Sequence, residues 1–127
     1  MSFTNFLETE ILDHVFAGAA YTAPSTKYLA LFTAISDGEA GSVTELSGSS
    51  YARQSVAFTT SGATTSNNAA VEFPTASGSW GTVTHVGVYD AVSSGNLMCY
   101  ATLSSSKAID TGDVFRVPSG DLDITLN

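Results

Sequence analysis

The sequence predicts a mainly β fold, an antiparallel β-sandwich or jelly roll carrying one N-terminal amphipathic helix. Three observations carry that reading. Apolar residues recur at helical spacing only between Phe3 and Phe16, short runs of period-two alternation follow from Tyr28 onward, and turn signals separate those runs every ~8–12 residues. With 127 residues the chain has the length of one core, since domains commonly run to about 100–150 residues. The expected division is an N-terminal helical arm over 1–20 and a β-sandwich over 21–127.

The helix is expected over residues 3–16, with Phe3, Phe6, Leu7, Ile11, Val15 and Phe16 on its apolar side. Thr4 or Asn5 can cap its start, Glu8 stands three residues after Asn5 as in a capping box, and Gly18 supplies a stop. Such a terminal helix either packs on its own domain or reaches onto a neighbouring subunit.

The first expected strand is Tyr28 to Thr33, followed by an exposed loop from Ser36 to Ser50 that holds Gly38, Gly41 and Gly48. Arg53 to Thr59 alternates again, Ser61 to Asn68 reads as a polar turn, and Ala69 to Phe73 makes a brief strand that Pro74 ends. Thr82 to Asp90 alternates cleanly. The turn Ser93-Ser94-Gly95-Asn96 pairs it with Leu97 to Leu103 as a hairpin. Asp110 to Asp113 turns the chain into Val114–Val117, Pro118 closes that strand, and Leu122, Ile124 and Leu126 alternate to the end. Seven or eight short strands of this kind suit two packed sheets rather than βαβ units.

Composition excludes several function classes. Twelve Asp and Glu against four Lys and Arg give a net charge of −8, so nucleic-acid binding, which needs several cations per site, is not expected. No apolar run approaches the ~20 residues that span a bilayer, so no membrane partner is expected. No basic segment precedes an apolar run at the N-terminus, and a soluble chain made in a cytoplasm is expected. The surface is made polar chiefly by hydroxyls, with 34 Ser and Thr residues. The single Cys99 lies in the run Leu97-Met98-Cys99-Tyr100 and reads as a buried small apolar residue.

Catalytic motifs are weak. Asp110-Thr111-Gly112 follows an apolar pair as in dimeric aspartic proteases, but Asp113 adds a further carboxylate, and Asp with Gly is ordinary turn chemistry. His14 and His85 fall in no metal spacing, and Asp37 with Glu39 or Asp121 with Asp123 offers too few oxygens for calcium. No Gly-x-Ser-x-Gly elbow occurs, and the glycines around Gly78 and Gly81 lack the context of a phosphate loop. No catalytic residue, cofactor or metal site is expected. The candidate interface residues are Phe3, Phe6 and Leu7 on the helix, together with Tyr51, Arg53 and Trp80. Trp80 suits a core anchor or an interface contact, and Arg53 and Arg116 are each expected to meet a carboxylate.

Several strings occur in order: Tyr28-Leu29-Ala30-Leu31-Phe32-Thr33-Ala34, Ser50-Tyr51-Ala52-Arg53-Gln54, Phe73-Pro74-Thr75-Ala76 and Trp80 through Asp90. Gly95-Asn96-Leu97 and Thr111-Gly112-Asp113 follow them. Taken together they resemble a family of short virion proteins of tailed bacteriophages, often labelled tail-fibre proteins and similar to β-sandwich capsid cement proteins. The resemblance implies a non-enzymatic virion component and supplies no catalytic residue. A length of one compact domain favours a capsid decoration protein that bridges major capsid protein subunits, with a homotrimer expected. A tail-fibre or tail-tip component bound to tail proteins is the alternative. A glycan-binding module using Trp80, Tyr21 or Tyr89 is the second.

Overall fold

Eleven strands and one helix form the described residues, 1–126, of the computed structural model, and each strand pair is antiparallel. The opening residues differ from the expected helix. Ser2–Phe3 forms β1, paired with Tyr100 and Cys99 of a later strand, because residues ahead of a helix cap are extended and a sheet edge offers them backbone partners. Thr4 is the N-cap: its hydroxyl accepts from the Leu7 amide at 3.4 Å and donates to the Leu97 carbonyl at 2.6 Å. Helix α1 covers Asn5–Leu12, so Leu7 stands three residues after the cap and Glu8 closes no capping box. One wider π turn, Asp13–Ala17, extends it to Gly18, whose φ of 75° ends the helix as expected.

The main sheet has the order β1-β9-β8-β2-β3, where β2 is Lys27–Asp37, β3 Ser42–Glu45, β8 Gly81–Tyr89 and β9 Leu97–Ile109; β4, Gln54–Val56, also pairs with β2. Register fixes its two faces. Leu29 lies opposite Val88 and Leu31 opposite Val86, so one face is continuously apolar and forms the larger core cluster. The opposite face carries a smaller cluster of Ala30, Phe32, Tyr89 and Leu97. Gly87 lies beside it, where a Cβ would stand 2.6 Å from Leu97 and 2.7 Å from Phe32.

The second layer comes in two pieces. Strands β5 (Phe58–Ser61), β6 (Thr64–Asn67) and β11 (Asp123–Thr125) form one sheet, and β7 (Val71–Glu72) with β10 (Arg116–Val117) forms another. Val71, Phe73, Phe115, Val117 and Leu122 from this layer complete the larger core. The buried Asn67 ties the pieces together, donating to the Ala69 and Pro118 carbonyls and accepting from the Leu122 amide, each at 2.9 Å.

Two segments expected to be loop or turn are strands. The stretch 36–50 holds the end of β2, a turn closed by Ala40 N donating to Asp37 Oδ1, and β3, whose pairing with β2 lies beyond local sequence signals. The polar stretch 61–68 is a hairpin about Gly62, where β-branched threonines suit a pleated surface and Thr60 bonds Thr65. Strand β9 outruns its expected end at Leu103, with a register shift opposite Thr84. The expected strand 114–117 contracts to Arg116–Val117.

Candidate interaction surfaces

Tyr51 and Arg53 lead from the strained loop after β3 into β4, and both turn inward. Gly48, Ser49 and Ser50 are consecutive positive-φ residues, a strain that the surroundings must hold in place. Arg53 binds Glu45 in two parallel contacts, Nε to Oε1 and Nη2 to Oε2, each 2.8 Å. Its Nη1 donates to the Ala91 carbonyl at 2.9 Å and the Ser94 carbonyl at 2.7 Å, and its Cζ sits 3.5 Å from the centre of the Tyr89 ring. Tyr51 donates to Glu45 Oε1 at 2.7 Å and accepts from the Leu31 amide at 3.1 Å.

The Arg53 side chain is 8% exposed. Burial works against its charge, but the hydrogen bond and charge of Glu45 outweigh this and raise its pKa. Burial, then the Glu45 charge, raises the Tyr89 pKa. Burial also raises that of Tyr51, reinforced by Glu45. This set is a clamp that ties the 90–96 hairpin to β3 and β4. Arg116, by contrast, meets no carboxylate within ion-pair distance among the described residues, unlike the sequence expectation.

Trp80 is a core anchor. It is 5% exposed, donates Nε1–H to the Ser49 carbonyl at 2.9 Å, and meets Tyr51 edge-on with centroids 5.6 Å apart. Phe73 stacks on Tyr51 and meets Trp80 and Phe115 edge-on. Trp80 and Tyr89 are therefore not exposed platforms for a sugar, and the half-buried Tyr21 is held edge-on against Phe6.

The other chemical candidates occupy structural positions. Asp110 to Asp113 is a turn, with Asp113 Oδ2 accepting from the Asp110 amide at 2.9 Å and Gly112 at a φ of 90°. His14 Nδ1 accepts from the Tyr21 amide, and His85 Nδ1 lies 2.7 Å from the Thr84 hydroxyl. Among the described residues no three His, Cys, Asp or Glu side chains gather as metal ligands, and no helix is long and apolar enough to cross a membrane. Cys99 is buried, and that burial pushes its pKa up to about 12.

Two surfaces among the described residues are candidates for contact with a partner. Phe3, Phe6 and Leu7 are half-buried against the larger core, so the start of the helix packs on its own sheet. Beyond it, residues 12–20 are exposed without a break, with Leu12 at 56%, Val15 at 60% and Phe16 at 81%. Tyr21 then returns the chain to Phe6, its ring centroid 6.4 Å away, which holds the far end of this arm against α1. The second surface is a groove of about 410 Å³ between β9 and the segments around β10 and β11. Its floor includes Val86, Leu103, Phe115 and Val117, and it is flanked by Lys107 and Arg116. The edge of β9 is open there, because β1 covers only Cys99 and Tyr100.

Neither surface was fully legible in the sequence. Val15 and Phe16 show in the helical periodicity, but periodicity does not say which turn of a helix the core stops covering. The groove joins residues far apart in the chain.

A family model described as Podophage GP4 fiber I protein gp80 matches residues 2–125, from β1 through β11. No curated protein matches the chain.

Proposed function

The chain belongs to the podophage fiber I protein family, and from that premise we propose that it is a non-catalytic structural subunit of the fibre apparatus of a short-tailed phage. The observation that carries this reading is the extent of the match, which includes the helix and both layers of the sandwich. Supporting it, the polar residues that looked chemical are engaged in turns and clamps, while the surfaces left over are apolar ones suited to assembly. The subunit self-associates, as a homotrimer, and contacts tail proteins.

The two-layer sandwich also suits a second reading, a cement protein on the major capsid protein lattice. Gold-labelled antibody on intact virions separates the two. Label confined to the tail is the expected result; label spread over the shell overturns the fibre reading in favour of cement.

A further inference from the structure

We propose that the exposed arm of one copy, residues 12–20, docks into the β9 groove of a second copy with Phe16 inserted between β9 and β10. The proposal deepens the self-association reading by naming the two surfaces that meet.

Shape supports it first. Phe16 is the most exposed large apolar side chain among the described residues, flanked by Val15 and Leu12. A cavity of about 150 Å³ already takes a benzene ring. The groove, at about 410 Å³, has room for a phenyl ring and a branched neighbour, on a floor that includes Leu103, Phe115 and Val117.

Charge supports it second. The arm and the helix before it carry Glu8, Glu10 and Asp13 and no Lys or Arg. The groove brings together Lys107 and Arg116 with Asp121 and Asp123, so its side-chain charges balance in a chain whose net charge is −8. Like surfaces of two such copies repel, whereas arm against groove sets carboxylates beside cations.

Position supports it third. The helix before the arm starts at the Leu97–Met98 end of β9, where Thr4 bonds Leu97, and Tyr21 after the arm rests on Phe6 and Met98. The groove lies along the Ala101–Lys107 stretch of that strand, so the arm meets the groove of another copy and not its own. The contact is heterologous: each copy gives one arm and receives one, which closes into a ring if the rotation permits.

Complementation by mixing tests this directly. Phe16→Asp removes the inserting ring at an exposed position, and Lys107→Glu with Arg116→Glu reverses the rim without touching the core. Under the proposal the wild-type chain sediments at a multiple of its 13.1 kDa mass, each variant alone sediments as a monomer, and an equimolar mixture of the two forms a 1:1 dimer through the one intact arm and groove. Circular dichroism and melting of each variant check that it is folded. A mixture that stays monomeric, a variant that still assembles alone, or a wild-type chain that is monomeric overturns the proposal. The fibre reading survives all three, because the location of label on the virion decides it.

Discussion

The Arg53 clamp and the arm that ends at Phe16 are built on opposite terms. Around Arg53, the guanidinium, carboxylate and phenol are used up within the chain: two bonds to Glu45, two to backbone carbonyls, a Tyr89 ring beneath, and Tyr51 closing the carboxylate. At the arm, the large apolar side chains of Leu12, Val15 and Phe16 stand mostly in solvent, 56%, 60% and 81% exposed. The difference separates what holds the fold from what the fold presents. A satisfied interior cluster needs nothing from outside, whereas an exposed apolar protrusion lowers its free energy by being covered.

The comparison is broken most forcefully at the core end. Trp80→Ala removes the ring against which Tyr51 and Phe73 pack and frees the Ser49 carbonyl, and should cost about 3–5 kcal/mol in urea unfolding. A loss below about 1 kcal/mol would mean that the cluster does not anchor the core. Glu45→Ala strands the Arg53 charge at a mostly buried site and should cost about 3 kcal/mol, with the 90–96 hairpin exchanging its amide hydrogens faster. Gly87→Ala forces a methyl against Leu97 and Phe32, which should lower stability by about 1–3 kcal/mol at unchanged urea m-value.

A smaller effect is read through pH. The folded Cys99 holds its proton to about 12, above its ordinary 9.0, so the unfolded chain loses that proton first. Above pH 9 the folded state therefore binds more protons than the unfolded one, and stability falls as pH rises, by about 1.4 kcal/mol per pH unit for this group. The raised Tyr51 acts in the same direction at higher pH. Cys99→Ala should flatten the decline between pH 9 and 11 in urea midpoints; an unchanged slope removes Cys99 as its source. Smallest of all is the effect of Phe16→Ser on the isolated fold, within about 0.5 kcal/mol, because that ring is 81% exposed.

What could be read in the sequence follows the range of the interactions involved. The Gly18 stop and the turn at 93–96 rest on local backbone chemistry, and both stand where residue type puts them, with Ser94 and Gly95 at positive φ. Alternation likewise marks Leu29 and Leu31 against Val86 and Val88. Strand β3 was not legible, since what makes Ser42–Glu45 a strand is its pairing with β2 and not its own propensity. Nor was Phe3 as a strand residue: helical spacing includes it, but the edge of β9 claims it. Of the candidate interface, Arg53 stood out as one of two arginines, while its partner Glu45 emerges only when β3 folds back beside β4.

The division between a self-sufficient interior and an arm that needs covering is tested most directly by hydroxyl-radical footprinting of the isolated chain at high dilution and of the same chain in intact virions. Labelling of Leu12 and Phe16 should fall sharply in the virion, while Trp80 stays equally protected in both. Phe16 labelled as strongly in the virion as in the isolated chain would contradict the assignment of the arm to assembly.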